Sequence, residues 1–291
     1  MELVYNIHQL KAGGKTLEGI LAKQYGIDAV CFISKLPPKT EKFISRDYGQ
    51  KLHRIPKRDL SSIKIITGHM FYGIHENIQR DHTYITMLRD PISRLHSYYY
   101  YLLDSDDMNL SHVIKTKNIS LKEFVSLDSE GIKRYGFEQH AAFELSHMLE
   151  NGQCKFISGL YPPLGFSDSS LFDCANNNLK DQFIAVGFTE YFDESLLLYK
   201  KKLNWTKPIY YAKKNVTKNK KRDSQTNNME INDIIKKRNK YDMQLYENAL
   251  SRFKEEIEKE IENINLKKKI MTIHSNVYTR LIRLYKTLKK K

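Results

Sequence analysis

Three residues of this chain stand where chemistry is easiest to build: a lysine in a glycine-containing turn, an arginine at the end of an apolar run, and a histidine between them. The apolar run Leu3 to Ile7 passes into His8-Gln9-Leu10-Lys11-Ala12-Gly13-Gly14-Lys15-Thr16, after which a helical pattern begins. Two glycines let the backbone come close to a bound anion, and the first turn of a new helix offers free N–H groups and a positive dipole. Lys11 adds a cation and Thr16 a hydroxyl, so Lys11, Ala12, Gly13, Gly14, Lys15 and Thr16 form a candidate anion loop. The plain alternative is a Gly-Gly turn with solvated lysines.

The second group is Met87-Leu88-Arg89-Asp90-Pro91, continuing through Ser97 into Tyr98-Tyr99-Tyr100-Tyr101. Asp90 suits a helix N-cap and Pro91 the first helical position, so a strand turns sharply into a helix here. Arg89 falls at the strand's carboxyl end, where open α/β sheets bind ligands. Ser97 lies close to two turns beyond Asp90, on the same face, so its hydroxyl and the Arg89 guanidinium can meet at one phosphate. Arg89 could instead pair with a neighbouring carboxylate, and the tyrosine run reads first as core packing. Between the two groups, the run Ile63 to Thr67 ends in Gly68-His69. A histidine titrates near neutrality and could take a proton from an attacking hydroxyl.

Gly14-Lys15-Thr16 invites a Walker A reading, but that motif needs glycine where this chain has Gln9, which weakens a kinase or NTPase assignment. The segment instead resembles the 5′-phosphosulfate loop of the carbohydrate sulfotransferases, H-I-P-K-T-G-G-T-[ST]-L, matched at His8, Lys11, Gly13, Gly14, Thr16 and Leu17, with departures at Gln9, Leu10, Ala12 and Lys15. The Arg89 segment resembles that family's 3′-phosphate element, R-D-P-x-x-R-x-x-S-x-Y, and is especially similar to the heparan sulfate 2-O-sulfotransferase group. The resemblance implies a P-loop-like fold that binds 3′-phosphoadenosine 5′-phosphosulfate (PAPS), with Arg89 and Ser97 on its 3′-phosphate and the Lys11 loop on its 5′ end. It implies transfer of the sulfuryl group to a carbohydrate hydroxyl, His69 as base and Lys11 at the leaving oxygen, with no metal. That group often carries H-G-H, whereas this chain has Thr67-Gly68-His69, leaving His140, His75 and His8 as candidates to assist. Ala185 to Glu190 is similar to the family's late strand. Asn215 to Lys221 resembles the basic loop over the nucleotide, which adds Thr217 and Lys220 to the expected PAPS contacts. The likeness runs in motif order from about Leu3 to Glu258.

These groups need a scaffold. Apolar runs at Leu3 to Ile7, Ala29 to Ile33, Ile63 to Thr67, Thr83 to Leu88 and Phe183 to Phe188 read as buried strands. Helical stretches at Thr16 to Tyr25, Pro91 to Leu103, Glu138 to Leu149 and Glu194 to Leu203 alternate with them. The expected class is α/β, three-layered, with a central and mainly parallel sheet flanked by helices. Leu245 to Ile261 repeats apolar residues at three- and four-residue spacing and closes the catalytic domain, set at residues 1–262. Residues 263–291 form a basic amphipathic tail that can dock on the domain, on a second subunit, or on an anionic membrane.

Composition limits the alternatives. The net charge of +14 favours anionic partners, and Lys35 to Arg58 would draw an acidic polysaccharide if it lines the cleft, or is simply a solvated loop face. Three cysteines without paired spacing indicate neither a zinc ribbon nor a disulfide scaffold, and no segment reaches the roughly 18 apolar residues of a membrane span. A cytoplasmic protein is therefore expected, peripheral to the inner face of a membrane only if the tail lies on lipid. No helix-turn-helix, zinc-finger or RNP signature supports nucleic-acid binding, and oligomeric state is left open.

Overall fold

The short apolar runs assemble into one five-stranded sheet: β1 (Leu3–Ile7), β2 (Val30–Phe32), β3 (Ile65–Gly68), β4 (His82–Leu88) and β5 (Phe183–Phe188). In the computed structural model, which describes residues 2–35, 57–105, 109–212 and 228–288, the order is β2-β3-β1-β4-β5 and every pairing is parallel. The mainly parallel sheet expected from alternating strands and helices is thus wholly parallel among the described residues. Helices cover both faces, so all five residues of β1 are buried and the strand carries no polar-out alternation.

The topology decides where a ligand can sit. From β1 the chain moves outward to β2, returns to β3 beside β1, and only then crosses to β4 on the other flank of β1. Loops leaving β1 and β4 therefore diverge, and a crevice opens above their carboxyl ends. α1 (Gly14–Tyr25) leaves from β1 and α3 (Pro91–Asp104) from β4, while α2 (Lys57–Ser62) precedes β3.

Between α3 and β5 lies a run of short helices: α4 (Asn109–Thr116), α5 (Leu121–Ser126), α6 (Ser129–Arg134), α7 (Gln139–Met148), α8 (Gly152–Ser158) and α9 (Ser169–Asp181). Of these only α7 was expected from apolar spacing, because most others are too short to show two full turns of period. Their starts are nonetheless encoded locally. Ser120 and Glu123 form a capping box on α5, and Asp128 and Asp168 cap α6 and α9. After β5 come α10 (Phe192–Lys202), α11 (Met229–Arg238), α12 (Lys240–Glu260) and α13 (Ile264–Leu288). A side chain at Gly187 on β5 would stand 2.6 Å from the Tyr199 hydroxyl of α10, so glycine lets that helix lie close on the strand.

A buried polar network joins α12 and α8 to α3, the helix that follows β4. Asp242, fully buried on α12, accepts from the backbone N–H groups of Gln153 (3.0 Å) and Cys154 (2.8 Å) at the start of α8, and faces the buried Arg94 guanidinium of α3 at 3.4 Å. Arg94 also donates to the Met148 carbonyl. A side chain on Gly152 would approach this guanidinium to 3.2 Å and the His147 carbonyl to 2.4 Å, so only glycine lets α8 start there.

The tail expected at residues 263–291 is helical, and its first half is docked. Met271 is buried, Lys268 pairs with Glu194 of α10, and the Tyr211 N–H donates to Ser275 at 3.2 Å. The Tyr278 ring lies 3.8 Å from Lys23 Nζ of α1.

Removing Asp242 strands a buried guanidinium and two amides. Asp242→Ala is expected to lower unfolding free energy by about 3–5 kcal/mol, read from the urea midpoint, whereas Asp233→Ala on the exposed face of α11 changes it by less than about 0.5 kcal/mol.

Candidate active site

The turn after β1 is held by its apolar members. Leu10 and Ala12, two departures from the sulfotransferase loop pattern, are buried in the core, and between them Lys11 adopts φ 66°, a left-handed conformation uncommon for a residue with a side chain. Gly13 follows with φ 77° and caps α1 without any side-chain cap or first-turn acid. The N–H groups of Thr16 (3.0 Å) and Leu17 (3.3 Å) fold back to the Gly13 carbonyl, while those of Gly14 and Lys15 take no acceptor among the described residues. An uncapped, acid-free helix start with free amides is a site for an anion. Gly14 has no room for a side chain, since a Cβ there would fall 1.7 Å from His8 Nε2.

The turn after β4 meets this loop directly. Arg89 Nη1 donates to the Lys11 carbonyl at 2.9 Å, so the left-handed twist that turns this carbonyl also supplies the Arg89 acceptor. Gln153 of α8 holds the Arg89 backbone from both sides, accepting from its N–H and donating to its carbonyl, each at 2.9 Å. Asp90 caps α3 by accepting from the Ser93 N–H at 2.7 Å, and its own N–H donates to Glu190 at 3.1 Å. Arg89 Nε is buried with no hydrogen-bond partner among the described residues. On α3, Lys11 Nζ lies 4.1 Å from the Tyr101 ring centroid, and Ser97 stands one turn before Tyr101 on that face. Core packing accounts for Tyr98, which donates to Glu144, and Tyr99, which donates to the Ile119 carbonyl; Tyr101 instead lies under the loop lysine.

Lys11, Lys15 and Arg89 crowd positive charge around this turn. Burial, then the charges of Arg89 and Lys15, push the Lys11 ammonium down to about 8, with Asp104 opposing. Burial lowers Arg89 as well, against Glu190 and Asp90. Three cations gathered beside free amides and an unsatisfied guanidinium nitrogen fit a polyanionic ligand such as a nucleotide phosphate.

His69, immediately beyond β3, adjoins the base of the loop. Its Nδ1 lies 2.7 Å from the His8 carbonyl and donates to it, which leaves Nε2 as the atom with a free lone pair. Burial, followed by the neighbouring His8 ring, pushes His69 down to about 3, so the imidazole is neutral at neutral pH. The His8 and His69 rings are 4.3 Å apart. His8 Nδ1 lies 3.0 Å from Glu18 of α1, and Glu18 also accepts from Thr67, whose hydroxyl oxygen takes a bond from Asn6.

Of the three histidines considered as partners, the structure brings only His8 to His69. His140 is exposed at the start of α7, and His75 bonds the Tyr84 hydroxyl and stacks on His82 at the opposite end of β4. Glu18 and Gln153 join the site without having been singled out in the sequence, where no local pattern marks them, and Glu190 joins it from the end of the segment similar to the family's late strand. Thr217 and Lys220 lie outside the described residues, as does most of the basic stretch Lys35 to Arg58. A cavity of about 870 Å³ lies apart from this crevice: it runs between α13, α10 and the end of α12, with Trp205 and Lys267 in its wall.

No curated protein sequence is matched by this chain. A family match covers residues 42–276, well over half of the chain, and takes in β3, His69, Arg89, Ser97 and the docked half of α13. It starts after the Lys11 loop, so that loop's likeness stands on the motif and geometry alone. The matched family is described by galactose-3-O transfer, and the closer likeness to the heparan sulfate 2-O group is not carried by it. Five parallel strands, the strand-to-helix turn at Arg89 and the extent of this match together place the chain in the galactose-3-O-sulfotransferase family of carbohydrate sulfotransferases.

Proposed function

We propose that the crevice over β1 and β4 binds PAPS and that the protein transfers its sulfuryl group to a hydroxyl of a carbohydrate. The observation that carries this reading is the bond from Arg89 to the Lys11 carbonyl, which sets two anion-binding turns side by side. The amides of Gly14 and Lys15 and the Thr16 hydroxyl would take the 5′ end, and Arg89 with Ser97 the 3′-phosphate, with Thr217 and Lys220 from the basic loop completing the grip. Residues 1–262 would form the catalytic unit.

In the transfer step the acceptor oxygen attacks sulfur while the bond from sulfur to the bridging phosphate oxygen breaks. The acceptor proton passes to His69 Nε2, and the electron pair stays on the departing 5′-phosphate of adenosine 3′,5′-bisphosphate. Alignment and charge stabilisation supply most of the rate in such a group transfer. Lys11 offsets the charge growing on the leaving oxygen, and the His8 carbonyl holds the His69 ring with Nε2 available.

Incubation with radiolabelled PAPS and a panel of galactose-containing and uronic-acid-containing glycans tests the activity. Label is expected in one glycan class, with His69→Ala slower by about 10²- to 10⁴-fold and Lys11→Ala by about 10²- to 10³-fold at unchanged melting temperature. Stabilisation by Mg-ATP, and none by the bisphosphate, would point to a kinase instead. Bisphosphate binding should also be linked to pH through Lys11. A bound dianion raises the Lys11 pKa above its free value of about 8, so a proton is taken up on binding at pH 8 and above. Affinity measured calorimetrically is then flat near pH 7 and falls by up to about tenfold per unit above pH 8, a fall that Lys11→Ala removes.

A further inference from the structure

The docked face of α13 leaves a second apolar face uncovered. Met271, Ser275 and Tyr278 meet the domain, whereas Ile270, Ile273, Val277, Leu281, Leu284 and Leu288 recur at three- and four-residue spacing roughly a third of a turn away. They are exposed, with Ile273 at 60%, Leu284 at 61% and Leu288 at 72%. Charged residues border this stripe on both sides: Lys269, Arg280 and Arg283 along one edge, Lys267 along the other. From residue 263 to the end the chain carries nine lysines and arginines and no aspartate or glutamate.

These features select among occupants. A second copy of the helix would match the apolar spacing, but pairing would set nine positive charges against nine with no acidic partner, where paired helices use opposite charges beside their seam. A nucleic acid would satisfy the charge and leave the leucines in water. An anionic lipid surface takes both, since the apolar stripe enters the acyl boundary while lysine and arginine reach up to the headgroups. The 870 Å³ groove beside the stripe shares Lys267 and Ile270 with it and adds Lys200, Lys201 and His274, extending the basic surface onto α10. No described helix is long and apolar enough to cross a membrane, so α13 would lie along the surface.

We infer that α13 is a membrane-docking helix that holds the protein on an anionic lipid surface through the stripe Ile270 to Leu288. The inference does not depend on the sulfotransferase reading.

Flotation of the full chain with vesicles tests it, comparing phosphatidylcholine alone with phosphatidylcholine containing about one-third phosphatidylglycerol. The protein is expected to float with the anionic vesicles only, and to be released at about 0.5 M salt in part. Arg280→Glu/Arg283→Glu and Leu281→Asn/Leu284→Asn should each reduce the bound fraction about tenfold or more, with unchanged circular-dichroism melting curves and unchanged sedimentation. Equal flotation of the variants, or absence of flotation by the wild type, overturns the inference. So does a wild-type dimer that the leucine variant dissociates without any vesicle binding, or retention on duplex DNA in place of vesicles.

Discussion

The guanidinium of Arg89 resting on the Lys11 carbonyl is the contact around which the rest of this structure is arranged. Two turns that are 78 residues apart in the chain become one surface because β1 and β4 are neighbours and their loops leave in different directions. The arrangement is held against two local costs. Lys11 sits in a left-handed conformation, and Lys11, Arg89 and Lys15 repel one another in partial burial. The packed side chains of Leu10 and Ala12 and the hydrogen bonds around Arg89 offset these costs, and a bound polyanion would relieve the second.

Support for Arg89 reaches deep into the helical layer. Gln153 pins the arginine's backbone, the N–H of Gln153 is fixed by Asp242, and Asp242 faces Arg94 one turn into the helix that Arg89 introduces. The second arginine of R-D-P-x-x-R is thus a structural residue here, buried at 1% exposure, and its charge is spent on holding α8 and α12 against α3. On the other side of the crevice, His69 is positioned by backbone, through the carbonyl of His8, so its orientation follows the start of the Lys11 loop. His69, the Lys11 loop and Arg89 are linked by hydrogen bonds and chain continuity into one frame.

Much of this frame was legible in the sequence where the determinants are local. Leu3 to Ile7 and Phe183 to Phe188 were read to the residue as strands because strands buried on both faces are unbroken apolar runs. Asp90-Pro91 announced the helix that follows it, and the glycines after Lys11 announced the turn into α1. The partners that organise the site were not legible, because they are fixed by contacts across 64 to 148 residues of chain: Gln153 to Arg89, and Asp242 to Arg94. Nor does sequence show that Thr67, where a second histidine was expected by resemblance, ties Asn6 to Glu18, or that His8 is the histidine brought to His69. Short helices such as α5 and α6 escaped the apolar-period reading, although Ser120 and Asp128 mark their starts.

A crystal structure of the protein with adenosine 3′,5′-bisphosphate tests the central claim most directly. One nucleotide should span the crevice, its 5′-phosphate on the amides of Gly14 and Lys15 and its 3′-phosphate against Arg89 and Ser97, with the Arg89 to Lys11 contact intact. A nucleotide held by one turn alone, its other phosphate in solvent, or bound in the groove beside α13, would contradict the account.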